Sequence, residues 1–237
     1  MIVGRQNFLA LLCFFLACAA PAPERTDVKS VNTHNQAGER IALPQPTRAG
    51  RIALEEALAR RRSVREFAAK PLTEIELGQL LWAAQGVTHP EGYRTAPSAG
   101  ALYALEVYVA TAQGVFRYDP RRHALLRHSG SDLRPALYRA ALEQESVRDA
   151  PAVFVIAAVY ERIAQKYGAQ RAPRYVHMEA GHAAQNLLLE TVALDLGAVP
   201  VGAFDDARVH AALSLPADHR PVYLIPVGHP RNPARAR

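Results

Sequence analysis

The stretch His177–Asp205, HMEAGHAAQNLLLETVALDLGAVPVGAFD, limits the fold of this chain more than any other. Up to about Leu196 it is apolar or small on nearly every side: Ala180, Ala183, Ala184, Leu187, Leu188, Leu189, Val192, Ala193 and Leu194. A helix without a polar face belongs in the middle of a protein, packed by other elements or by another subunit. Gly197 is the expected helix end, because glycine takes a left-handed cap without strain. Ala198–Asp205 then forms a short apolar run whose small residues let backbone approach a flat ligand closely.

Size and composition fit one globular domain with ample core: 237 residues, 49% hydrophobic and 21% charged. The net charge of +6 comes from 28 basic and 22 acidic residues. Arginines cluster at Arg60–Arg62, at Arg121 and Arg122, and at Arg231, Arg235 and Arg237. The planar guanidinium fork suits phosphate, although any one cluster also reads as a solvated surface. No nucleic-acid recognition motif accompanies the charge, so nucleic acid is not an expected partner. Both cysteines, Cys13 and Cys18, lie near the start of the chain. The remainder therefore has no disulfide, no thiolate nucleophile and no cysteine metal site.

Arg5 precedes a wholly apolar run, Phe8–Ala17, followed by small residues and Pro21. That is the pattern of a secretory signal, and the run is shorter than the ~20 residues needed to cross a bilayer. Two processing outcomes stay open. Phe15-Leu16-Ala17-Cys18 resembles a bacterial lipobox, which would make Cys18 a lipidated first residue, whereas Ala17-Cys18-Ala19 fits ordinary signal cleavage. The expected organisation is a signal over residues 1–20, a flexible linker over 21–45 and a folded domain over 46–237. Export to a bacterial cell envelope follows, with the lipid anchor as the only membrane attachment.

The first helix is expected near Arg51, with Ile52, Leu54, Ala57 and Leu58 on one face and the arginine run at its end. Thr73 and Glu76 form a capping box, and Leu72 and Leu77 a hydrophobic staple, opening a helix that breaks at Gly86. His89–Ala104 is a loop of glycine, proline and small residues. Leu105–Thr111 and Val115–Tyr118 read as a hairpin across Ala112-Gln113-Gly114, and His123–Arg127 as a further short strand. Leu133–Glu143 is helical by spacing. Ala152–Val159 is a continuous apolar run, as in a strand covered on both faces. Glu161–Tyr175 is read as a short helix or a loop, Asp205–Leu213 as a helix, and Val222–Val227 as a last strand whose Pro226 suggests an edge or a bulge. The fold class is α+β, with a central, mostly antiparallel sheet flanked by helices.

A flavin site needs positive charge and donors for phosphate, a flat slot lined by backbone or small residues, and contacts that tune the ring. Arg61, Arg62, Ser63 and Arg65 supply the first, Ser98-Ala99-Gly100 the second, and the backbone of Gly202 and Ala203 the third. With these residues in this order, the stretches RRSVREF, LLWAAQGV, RTAPSAGALYALEVYV, GVFRYDPRRHAL, AGHAAQNLLLE, VPVGAFDD and PVGHP resemble the FMN-dependent nitroreductase family. They resemble most closely its SagB-type branch, dehydrogenases that oxidise azolines in modified peptides. The likeness runs from about Leu43 to Pro230.

The resemblance implies an intertwined homodimer with two FMN sites at its interface. It implies that Arg61, Ser63 and Arg65 contact the phosphate, ribityl chain and pyrimidine edge, and Arg62 is grouped with them. Pro97, Ser98, Ala99 and Gly100 would lie along the ring from the partner subunit, while Val201, Gly202 and Ala203 would run past N5. Arg231 and Arg235 stand in for basic residues that approach the phosphate from the C-terminus. Lys166-Tyr167 resembles the pair that azoline oxidases use beside the substrate, where a base removes a proton as hydride leaves to FMN. Ala104 stands where the branch usually has proline.

Other chemistries lack support. His177, Glu179 and His182 do not share the spacing of H-E-x-x-H, so no metal is expected. Neither G-x-S-x-G nor G-x-G-x-x-G is present. Glu179, His182, Gln185 and Asn186 read as interface and packing residues, and Trp82, Tyr103, Tyr108 and Phe116 as core. The functional expectation is an FMN-dependent oxidoreductase moving hydride to or from a small organic or peptide-derived substrate, with NAD(P)H as a candidate reductant. The alternative is a non-catalytic, envelope-tethered protein of the same fold that binds flavin or another ligand.

Overall fold

Alternating side chains on the central strands build two cores, one on each face of a sheet. The computed structural model describes residues 38–232. Along β2 (Leu105–Thr111), Val107 and Val109 enter one core while Tyr108 and Ala110 enter the other. β5 (Ala152–Ala158) is buried at every position, because helices cover both sides of it. Seven strands form the sheet, in the order β1-β4-β3-β2-β5-β7-β6, and each neighbouring pair is antiparallel. The others are β1 (Arg40–Ala42), β3 (Gly114–Asp119), β4 (Ala124–Ser129), β6 (Gly197–Ala198) and β7 (Arg220–Gly228). Gly114 makes the β2–β3 turn possible: its φ is +127°, and a Cβ there would stand 2.2 Å from the Ser129 carbonyl oxygen.

The helices are α1 (Leu54–Arg60), α2 (Glu74–Gln85), α3 (Arg134–Ala140), α4 (Glu145–Asp149), α5 (Tyr160–Tyr167), α6 (Ala172–Ala193) and α7 (Asp206–Leu213). Leucines of α2 and α6 fill the first core, and residues of α3, α4 and α7 fill the second. The capping box opens α2 as expected: Thr73 Oγ1 accepts from the Glu76 amide, and Glu76 Oε2 accepts from the Thr73 amide at 2.7 Å.

The structure corrects several expectations. Arg40–Ala42, placed in the flexible linker, is a strand paired with Ala124–Leu126. The segment after Val159 resolves into α5, closed by Gly168 at φ +81°, and the start of α6. α6 ends at Ala193 rather than at Gly197, and Asp195 takes the left-handed turn at φ 55°. Gly197 serves close packing instead, since a Cβ on it would meet Val64 Cγ1 at 2.6 Å. The expected Leu133–Glu143 helix stops at Ala140, before Leu142 and Glu143 turn left-handed. Pro226 lies inside the sheet, but its carbonyl accepts from Val199 on the β6 side. The N–H it lacks would point to that same side, where the ladder is two residues long.

Within one chain α6 is not covered all round. Val176, Ala180, Ala183 and Leu187 are buried, while His177, Met178, His182 and Gln185 are exposed. The expected apolar face of α1 is likewise open: Leu54 and Leu58 are 61% and 53% exposed. Among the described residues no helix is long and apolar enough to cross a membrane. The signal and lipobox expectations, Cys18 and Arg235 lie outside the described residues.

Candidate active site

The residues singled out from sequence gather into two groups, one near each end of α6. The first forms where the chain leaves α1. Residues 61–67 run extended past the sheet edge, with Ser63 bridging Ala198 and the Val64 amide donating to the Ala198 carbonyl at 2.9 Å. The Ala68 amide donates to His229 and the Arg231 amide to Glu66, so the PVGHP segment lies alongside. Three stretches distant in sequence thus meet at β6.

Side chains in this group differ in what they already bind. Among the described residues, those of Arg61, Ser63 and Arg65 have no hydrogen-bond or ion-pair partner. Arg62 donates to the carbonyls of Ala59 and Arg61 at 2.7 and 2.9 Å, closing the C-terminus of α1. Unlike the other three, it thus spends one guanidinium nitrogen, Nη1, on backbone carbonyls. Arg231 leans toward Asp149 at 3.8 Å. Val201 exchanges backbone hydrogen bonds with Leu224, which anchors the turn, while Gly202 and Ala203 stay exposed. A Cβ on Gly202 would meet nothing within 4 Å, so the space over this backbone is open. Gln144 steadies the turn by donating to the Ala203 carbonyl at 2.8 Å.

The second group is the loop from Pro97 to Ala104, packed on the N-terminal half of α6. Ser98 Oγ donates to Glu179 Oε2 at 2.6 Å and accepts from the Tyr103 amide at 2.9 Å. Gly100 has φ +62° and faces α5 closely: a Cβ there would lie 3.0 Å from Lys166 Nζ and 3.1 Å from the Tyr167 hydroxyl. The loop and the Lys166-Tyr167 pair, 66 positions apart at Gly100 and Lys166, therefore form one surface. Arg162, one turn before Lys166, fixes α5 by donating to the Tyr103 carbonyl at 2.9 Å and pairing with Glu106 at 2.5 Å.

Glu179 is 1% exposed, and its Oε1 has no hydrogen-bond partner. Burial pushes this carboxyl above its ordinary range, against the Ser98 bond and the charge of Arg94. Sequence reading assigned it to packing. Its signal was a charged residue on the small-residue face of α6, and nothing in the spacing showed what it would hold. Arg162 and Gln144 left no signal at all. His177 and His182 turn to Tyr160 and to the Pro97 carbonyl, at 3.0 and 3.4 Å, and do not converge with Glu179. Tyr108 and Phe116 are buried as expected, while Tyr103 is half-buried beneath the Arg94 guanidinium, 4.4 Å from its ring centre.

Residues 58–229 match the model of the nitroreductase family. A nitroreductase-family protein of Methanocaldococcus jannaschii is 46% identical over 183 residues, covering 75% of this chain and 91% of that one. A crystal structure from Ralstonia eutropha, also named for the nitroreductases, is 34% identical with a TM-score of 0.75, covering 81% of this chain and 90% of that one. An NADPH:FMN oxidoreductase from Vibrio harveyi, crystallised with NAD+, shares the fold at 22% identity and a TM-score of 0.58, over 76% of this chain and 69% of its own.

Proposed function

The chain belongs to the nitroreductase family, and on that premise we propose that it is an FMN-dependent oxidoreductase of the SagB-type branch, working as a homodimer. Bound FMN supplies a ring that accepts and returns hydride. The observation that carries this reading is the joining of residues 61–65 to the Ala198–Ala203 turn through the Val64–Ala198 hydrogen bond. Unpartnered Arg61, Ser63 and Arg65 fit a phosphate and a polyhydroxyl chain, since charge-assisted donors are the strong ones there. The open backbone of Gly202 and Ala203 fits the edge of a flat ring.

One chain carries both halves of such a site but holds them apart. From Glu179 to Ala193 the α6 axis runs about 20 Å at 1.5 Å per residue. The loop from Pro97 to Gly100 therefore serves the ring of a second copy, and the exposed stripe of α6 with Leu54 and Leu58 of α1 is the surface that copy covers. Lys166 and Tyr167, against Gly100, hold the substrate and take its proton as hydride leaves. The substrate class is a small organic or peptide-derived molecule met outside the cytoplasm, after export through the N-terminal signal.

Anaerobic rapid mixing of the purified protein with NADH or NADPH tests the electron route. The visible flavin absorbance is expected to bleach with at least one of them. If dithionite bleaches the flavin and neither nicotinamide does, the nicotinamide part of the reading fails and hydride has to come from the substrate itself.

A further inference from the structure

Glu179 sits where a leucine would pack at lower cost. A carboxyl taken out of water is penalised unless every oxygen is satisfied, yet Oε1 has no hydrogen-bond partner, while Oε2 accepts from Ser98 Oγ at 2.6 Å and the Ala104 amide at 3.4 Å, with the Leu105 backbone also favouring the charged form. No cation lies within ion-pair distance of it among the described residues. What the carboxyl holds is a strained loop. Gly100, Ala101 and Tyr103 all lie in the left-handed region, at φ 62°, 53° and 50°. For the two non-glycine residues this conformation is strained and persists only where the surroundings over-determine it.

Those surroundings can be named. Ser98 Oγ is shared between Glu179 and the Tyr103 amide, so the Glu179 bond orients the hydroxyl that bends the loop back on itself. Arg162 holds the Tyr103 carbonyl from the side, and the Arg94 amide donates to the Tyr103 hydroxyl at 3.1 Å. Without Glu179 the hydroxyl loses its acceptor, and the nearest hold from α6 is the 3.4 Å contact of His182 to the neighbouring Pro97 carbonyl. Lys166 and Tyr167 rest on Gly100 at the crest of this bend.

We propose that Glu179 is a positioning residue: acting through Ser98, it sets the left-handed course of the loop from Ser98 to Ala104, and with it the surface that this loop and Lys166-Tyr167 present to the flavin ring. The ring-facing half rests on the FMN reading above, whereas the hold on the loop stands on the chain's own contacts.

Two readouts on the full-length protein separate these halves: amide hydrogen exchange over the loop, and FMN titration. In Glu179→Ala and in Ser98→Ala, the Tyr103 and Ala104 amides exchange about tenfold faster and FMN binds about tenfold more weakly, roughly the worth of one lost hydrogen bond. Glu179→Gln, which keeps an oxygen to accept from Ser98 but carries no charge, restores both. The double variant falls short of the sum of the two single effects, because both lose the Ser98–Glu179 bond, although each also loses a bond of its own, Tyr103 amide to Ser98 and Ala104 amide to Glu179. If Glu179→Ala does not fold, Glu179→Leu, which fills the space but offers Ser98 no acceptor, carries the same comparison against Glu179→Gln. Unchanged exchange in Ser98→Ala or Glu179→Ala overturns the inference, as does a glutamine variant as impaired as alanine. A loosened loop with unaltered FMN affinity refutes its role toward the ring. Wild-type protein that takes up no FMN refutes the functional reading and the ring-facing half together, while exchange still reports on the hold.

Discussion

Arg61 and Arg62 carry the same fork and use it differently. Arg62 closes the end of α1 through two carbonyls, while the Arg61 side chain has no partner among the described residues. Arg61→Ala is therefore expected to weaken FMN binding about tenfold or more, the loss of a charge-assisted hydrogen bond, with the melting temperature of the flavin-free protein unchanged. Fluorescence titration checks this, and retained affinity would move the phosphate elsewhere. His219 offers a test of the fold itself. It is 6% exposed, and its Nδ1 lies 2.7 Å from the Tyr108 hydroxyl. Burial holds the imidazole below its ordinary 6.5. The unfolded chain then binds the proton more readily, so this contribution is complete above pH 6.5 and is lost as pH falls through the lowered folded value. Thermal melts between pH 7 and pH 5 should show stability falling, with a shallower slope in His219→Gln.

At the scale of elements, α6 and β6 show what local sequence decides and what it leaves to packing. Gly197→Ala should destabilise the fold by about 1–3 kcal/mol, as overpacking does, because the new methyl meets Val64. A denaturant melt measures it, and an unchanged midpoint would mean that Val64 moves aside freely. The capping box of α2, the β2–β3 hairpin and the doubly buried β5 were legible because their signals lie within a few residues. β1 was not: Arg40–Ala42 offers three residues, and its pairing with β4 lies more than 80 positions away. The end of α6 was misread because Asp195 accepted a left-handed turn that glycine would have taken more easily, beside Arg60 at 3.5 Å. The candidate site residues stood out in the sequence as short motifs, RRSVREF, PSAG and VGA. Which arginine stays free, and what Glu179 grips, depended on carbonyls and hydroxyls that only the folded chain brings near.

For the whole molecule, the separation of the two groups along α6 matters most. The arginine run with the Gly202 turn, and the Ser98 loop with Lys166-Tyr167, are each built within one chain, yet no hydrogen bond or ion pair joins them among the described residues. The exposed face of α6, including Met178 at 54%, and the open leucines of α1 are where a second copy would bring them together. Flavin content and assembly are thus one question. The most direct measurement is the visible spectrum of the purified full-length protein, recorded on its light-scattering peak during gel filtration. A homodimer carrying one FMN per chain, yellow and bleached on reduction, is the expected result. A colourless protein that takes up no FMN from solution, as monomer or dimer, would contradict it.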